Sequence, residues 1–180
     1  MTIRNLDALF RPRSIVVAGP NRLGAGALEL LLRRIAEGGF SGTKTVVGCG
    51  KDLPEGFRPK RRIADMQEGA ELAILLGAPD ETAATVKLLA AHGARAAIAL
   101  SPNYHRWPDA DVSATLQAGR PATLRLLGPG SLGVASPLVR MSAHLGACDA
   151  HPGDLAFIAR SGTVANATLS WAAANGVGFS

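Results

Sequence analysis

The residues best placed to do chemistry are those of Gly19–Pro20–Asn21–Arg22–Leu23–Gly24, between the apolar run Ser14–Ala18 and an apolar-periodic stretch. Glycines, an amide side chain and an arginine between a strand and a helix make a turn able to cradle phosphate. The unpaired amides at a helix start carry partial positive charge and attract anions. The glycine spacing is not the Gly-x-Gly-x-x-Gly of the usual dinucleotide fingerprint. Nor is it a Walker A loop, since no Lys-Ser/Thr follows Gly24. Two readings stand: a nucleotide-type ligand, or a plain tight strand-to-helix turn. Lys51 is the second candidate. NAD enzymes carry an acid after strand two to hold the ribose hydroxyls. Here that loop reads Gly48–Cys49–Gly50–Lys51, with no carboxylate before Asp52. A cation there suits an extra phosphate on the ribose; the alternative is an ordinary exposed loop lysine.

The elements that must position these groups follow from periodicity. Ser14–Ala18 and Thr43–Val47 read as strands, and Leu72–Leu76 and Ala96–Leu100 as strands buried on both faces. A helix runs from about Gly24 to Glu37, with Leu28, Leu31, Leu32 and Ile35 on one face, and ends at Gly38–Gly39. A second helix, capped by Asp80, runs to about His92, and a third covers Asp109–Ala118. Leu53–Gly69 reads as irregular and basic, with a helical turn at Ile63–Met66. Thr123–Leu127 is a strand followed by the loop Gly128–Gly133. This order predicts an α/β fold: a Rossmann-like parallel sheet with helices on both faces. Right-handed crossovers place the loops Gly19–Gly24, Gly48–Lys51, Gly77–Pro79, Ser101–Tyr104 and Gly128–Gly133 along one rim. The expected domain therefore covers residues 1–135. Residues 136–153 read as a linker with one strand at most. Residues 154–180 restart the pattern: an apolar Leu155–Ala159, a turn at Arg160–Thr163 and a helix over Val164–Ala174. That is the opening of a second, truncated α/β domain, or a last unit packed on the first.

Composition bounds the function. The 180 residues are 47% hydrophobic, 18% charged and only 4% aromatic, with a formal net charge of +5. Few aromatics leave little platform for stacked bases, and the densest basic group, Arg58, Lys60, Arg61 and Arg62, is short for a nucleic-acid arm. No nucleic-acid partner is expected. No apolar run reaches the length of a membrane span, and the start of the chain has no signal-peptide apolar region. Cys49 and Cys148 lack metal-ligand spacing and read as free thiols of a reducing compartment, so the expected location is cytoplasmic and no metal is expected in this chain. The apolar face of a truncated second domain invites self-association, so a homo-oligomer is one expected state.

Several segments, in order, resemble the N-terminal part of the NDP-forming acyl-CoA synthetases, the superfamily of succinyl-CoA synthetase α subunits. They are Leu6–Ile15, Leu126–Gly133, Ala156–Gly162, and Trp171–Ala173 through Gly178–Phe179–Ser180. Together they span essentially the whole chain. The resemblance implies a Rossmann-like CoA-binding domain followed by the start of a flavodoxin-like ligase domain. It implies that Gly19, Asn21, Arg22, Leu23 and Gly24 hold phosphate of coenzyme A. Lys51 would bind the phosphorylated adenosine end, and Gly77, Ala78 and Pro79 would lie along the ligand. Ser161, Gly162 and Thr163 would start a helix that faces a phosphohistidine, and free amides there suit a dianionic phosphoryl group.

The departures define the alternatives. Ala159 replaces the first serine of the family's Ser-x-Ser-Gly turn, and Gly130 and Ser131 replace the Asn-Cys of its Gly-Pro loop. The family's phosphorylated histidine lies beyond Ser180, so no residue here is assigned as catalytic. His92, His105, His144 and His151 read as surface or loop histidines. The implied function is the CoA-binding part of a ligase that reversibly converts acyl-CoA, ADP and phosphate to carboxylate, CoA and ATP. Its partners are coenzyme A and the missing ligase and ATP-grasp parts. Alone, the chain is not expected to turn over. The other class is a non-catalytic CoA-binding regulatory module, as in fusions to a protein acetyltransferase. An NAD-dependent reductase fits poorly, because the dinucleotide fingerprint and the strand-two acid are both missing, as is a Tyr-Lys pair at Tyr104.

Overall fold

In the computed structural model, residues 4–19, 25–49, 52–101 and 107–180 are described. The chain opens with α1 (Leu6–Phe10) and runs through β1 (Ser14–Ala18), α2 (Ala25–Glu37), β2 (Thr43–Val47) and β3 (Phe57–Lys60). It continues with β4 (Leu72–Leu75), α3 (Pro79–Ala91), β5 (Ala96–Leu100), α4 (Asp109–Gly119) and β6 (Arg125–Ser131). A short hairpin, β7 (Gly133–Ser136) and β8 (Met141–His144), precedes β9 (Pro152–Leu155) and α5 (Gly162–Asn175).

β1 to β6 form one parallel sheet in the order β3-β2-β1-β4-β5-β6. Its central strands are uninterrupted apolar runs because both faces are covered. One face packs Ile15, Val17 and Ile74 against α1, against Leu31, Leu32 and Ile35 of α2, and against Met141 and Ala143 of the hairpin. The other packs Val16, Ala73 and Leu75 against Val86 and Leu89 of α3 and against Trp107, Ala118 and Leu124. Each fully buried Leu or Ile stabilises by roughly 1.5–3 kcal/mol relative to exposure. The expected α/β Rossmann-like sheet is the fold observed.

Several local expectations are corrected. β3 lies inside the stretch read as irregular. Its sequence, Phe-Arg-Pro-Lys, buries only Phe57, and an edge strand tolerates proline. Asp80 does not cap α3; Pro79 takes the first helical position, so Ala78 is the N-cap and Asp80 contributes charge within the first turn. β6 runs through the expected Gly128–Gly133 loop. Its register against β5 jumps between Ile98↔Leu127 and Leu100↔Ser131, so the segment at Gly128–Gly130 bulges from the sheet. Within residues 136–153, expected as a linker with one strand at most, β8 completes the antiparallel β7–β8 hairpin, and Met141 and Ala143 belong to the core beside α2. Its strands are too short and too poor in alternation to show a period. β9 ends at Leu155, short of the expected Leu155–Ala159 run.

Candidate functional site

β1 and β4 are neighbours in the sheet, and the chain leaves them toward helices on opposite faces. This is the point where strand order reverses, and ligands of open α/β sheets bind in the crevice it leaves. Gly19 ends β1 with φ +87°, and Gly77 follows β4. A Cβ on Gly19 would lie 2.7 Å from the Gly77 amide nitrogen, so only glycine lets the two strand ends close on each other. Ala78 and Pro79 then start α3, and the Thr82 hydroxyl donates to the Ala78 carbonyl at 2.8 Å. Thus Gly19, Gly77, Ala78 and Pro79 are gathered at one mouth. Asn21, Arg22, Leu23, Gly24 and Lys51 lie outside the described residues.

Beside that mouth, between α2 and the segment after β2, lies a groove of about 730 Å³. Leu28, Leu32, Leu53 and Pro54 give it apolar walls, and Arg33, Glu29 and Asp52 give it charge. Such a mixture suits a ring with polar substituents. The two carboxylates were not expected: sequence reasoning weighed the cation at Lys51 and passed over Asp52, which lines the groove.

A second cavity, of about 360 Å³, joins the β6 bulge to the last unit. Gly128, Pro129 and Gly130 line one side, and Arg160, Gly162 and Phe179 the other. Ser161 is the N-cap of α5, and its hydroxyl accepts from the Val164 amide at 3.3 Å. Gly162 and Thr163 open the helix, leaving amides directed away from the helix body. Gly19 and Gly77 do not line this cavity, so the two sets of predicted residues occupy separate spaces.

His144 lines the same cavity and is 3% exposed, on β8 rather than in a surface loop. The Gly146 amide donates to its Nδ1 at 3.0 Å, so Nε2 carries the hydrogen and faces Asp149 Oδ1 at 3.3 Å. The buried Arg34 of α2 reaches the same oxygen at 3.2 Å and the Ala147 carbonyl at 3.1 Å. The hydrogen bond from His144, aided by the Arg34 charge, holds the Asp149 carboxyl below its ordinary value. Both ring nitrogens are thus engaged, and His144 positions the wall of the cavity rather than offering a free base. Asn166 of α5 accepts from the Ala147 amide at 2.8 Å, which ties this cluster to the last unit. These residues are far apart in sequence, and no local pattern signals them.

At the opposite rim, where strands begin, Glu71 receives the Arg13 guanidinium at 2.7 and 3.1 Å and the Arg13 amide at 2.8 Å. Arg95 lies at 3.6 Å. The Arg13 hydrogen bonds hold the Glu71 carboxyl below its ordinary value. This cluster fastens β1 to β4 and β5 and is structural.

No family model matches the chain. In sequence it is 22% identical over 98% of its length to the α subunit of ADP-forming acetate–CoA ligase I of Pyrococcus furiosus. In structure it is similar to the dinucleotide-forming acetyl-coenzyme A synthetase 1 of Ca. Korarchaeum cryptofilum, solved apo and with phosphate and ADP. Both matches have TM-score 0.81 and 22% identity over 97% of this chain. A Pyrococcus horikoshii protein matches equally in TM-score, at 17% identity over 97% of this chain. The chain spans about two fifths of the length of these relatives. No helix among the described residues is long and apolar enough to cross a membrane. By sequence over 98% of its length the chain is similar to the α subunit of an ADP-forming acetate–CoA ligase, and it shares the fold of the acetyl-coenzyme A synthetase structures.

Proposed function

We propose that this chain is the coenzyme A-binding part of an NDP-forming acyl-CoA ligase. The observation that carries the reading is the Gly19–Gly77 contact at the reversal point of the sheet, opening beside a groove with apolar walls and charged groups. Adenine would occupy the apolar part, between α2 and Leu53–Pro54. The diphosphate would sit against the loop after β1, with Asn21 and Arg22 supplying polar contacts, and Gly77–Pro79 would line its path. Lys51 would meet the ribose phosphate, while Asp52 and Glu29 would hold hydroxyl or amino groups.

Residues 1–135 would form the CoA domain. Residues 154–180 would open the ligase domain, whose remaining parts would be supplied by further chain or by a separate subunit in the cytoplasm. The Ser161–Thr163 helix start would face the phosphoryl group handled there. The bland reading of Lys51 remains the competitor, and the carboxylates of the groove make the comparison decisive. Isothermal calorimetry with coenzyme A and dephospho-CoA tests it. Saturable binding of coenzyme A, weakened about tenfold or more when the ribose phosphate is missing, is expected. Equal affinity for both would remove Lys51 from its role, and no binding of either would end the reading.

A further inference from the structure

On the face of the sheet that carries α3 and α4, no helix among the described residues covers strands β2 and β3. The segment between β3 and β4 holds only one 3₁₀ turn, Ile63–Asp65. Doubly wound sheets ordinarily bury this face under apolar side chains. Here most side chains on that face are polar: Thr43 and Thr45 on β2, Arg58 and Lys60 on β3, with Thr45 paired in register with Arg58 and Val47 with Lys60. These four side chains, with Gln67 and Glu68 of the segment above, line a cavity of about 270 Å³.

The cavity is polar without being self-satisfied. Thr45 is buried, yet among the described residues neither its hydroxyl nor the Arg58 guanidinium has a partner. Asp65, also on the covering segment, is bonded to Arg62 at 3.0 Å and lies within the field of Lys60. Among the described residues, Glu68 is the one carboxylate lining the space, against two cations. A hydroxyl open to the void and two cations around it suit an acceptor-rich anion. The volume holds more than a bare phosphate ion, being roughly nine times the share of a liquid water molecule.

We propose that this cavity binds a small phosphate ester, with Arg58 and Lys60 on the phosphate and Thr45 donating to one of its oxygens. The site lies on the flank of the sheet, apart from the mouth at Gly19 and Gly77, and does not rest on the coenzyme A reading.

The test is an amide-shift titration of the isotope-labelled full chain with ribose 5-phosphate, with inorganic phosphate and ribose as separate arms. Saturable shifts confined to Thr45, Arg58 and Gln67–Gly69 are expected with the ester. The inorganic phosphate arm separates a bare-ion site from an ester site: equal or tighter binding of inorganic phosphate overturns the ester assignment. Binding of ribose alone overturns the role of the cations. The Arg58→Ala/Lys60→Ala variant is expected to lose about fivefold or more in affinity, and a smaller loss overturns the proposal. Should that variant fail to fold, Lys60→Gln alone is read the same way. Glu68→Gln is expected to tighten binding, and weaker binding would contradict the charge argument. Shifts that grow linearly and spread over all basic residues would mean screening by salt alone, and would overturn it too.

Discussion

The six-stranded sheet and the final strand–helix unit obey the same local rules and end in opposite states. β4 and β5 are buried along their whole length. In the last unit, Ile158 is 94% exposed and Trp171 59%, with Leu155, Phe157 and Val164 also open, and within α5 only Ala172 is buried. Yet α5 is well terminated, by the Ser161 cap and by Gly176 in the left-handed conformation. Local signals are enough to make a helix; they do not supply the surface that buries it. The sheet has that surface on both faces. The last unit meets the rest mainly through the Arg34–Asp149–Asn166 cluster and the cavity beside it.

The contrast is broken most directly by truncating one apolar side chain in each region. Ile74→Ala leaves a cavity at the centre of the sheet and is expected to cost about 3–4 kcal/mol. Trp171→Ser, removing a larger side chain, is expected to cost under about 0.5 kcal/mol. Urea unfolding of both variants measures this, and similar losses would mean that the last unit is packed as tightly as the sheet.

Two glycines sharpen it next. Gly19 and Gly176 both have positive φ, but a Cβ at Gly176 meets nothing, while at Gly19 it meets the backbone of Gly77. Gly176→Ala is expected to cost about 1 kcal/mol for backbone strain alone. Gly19→Ala adds the collision and is expected to cost roughly 2–3 kcal/mol. Thermal unfolding ranks the two, and equal effects would show that the β1 and β4 ends do not press on each other.

The same division decides what was legible in the sequence. β1, β4 and β5 could be read because unbroken apolar runs mark strands covered on both sides, and β2 from Val46 and Val47 stopping at Gly48. α2 was legible from Leu28, Leu31, Leu32 and Ile35. β3 was not, because an edge strand of Phe-Arg-Pro-Lys has neither a run nor an alternation of apolar residues. The hairpin was hidden for a related reason: Met141 and Ala143 are buried by long-range packing on α2, and four-residue strands carry too little pattern. At the site, loop positions such as Gly19 and Gly77 could be read from strand ends alone. Their contact could not, since it depends on strand order. Nor could the burial of His144, which needs Arg34 from another layer.

A smaller effect is expected at the rim that fastens the sheet. Glu71, whose side chain is 16% exposed, is held by a guanidinium that is itself largely in water. Its replacement by glutamine is expected to cost about 1 kcal/mol, well below the value for a buried pair. Because the folded carboxyl titrates below its ordinary value of 4.5, its contribution is full above that pH and fades as pH falls through the folded value. Unfolding curves should therefore separate parent from Glu71→Gln most at neutral pH, with the gap narrowing as the medium is acidified below pH 4.5. A gap that persisted in acid would assign the loss to packing instead.

The smallest stability effect carries the most information about the last unit. Ile158→Ser and Trp171→Ser should leave the unfolding midpoint almost unchanged, since both side chains already face water. An apolar face of this kind nevertheless favours association, each such side chain withdrawing its area from water at about 25 cal/mol per Å². The double variant should therefore sediment as a smaller species than the parent at high concentration, with stability matched. If parent and variant sediment alike at every concentration, copies of this chain do not meet through that face. The exposure of Ile158 and Trp171 would then be satisfied by another partner, and the contrast between the two regions would be one of missing surface rather than of self-association.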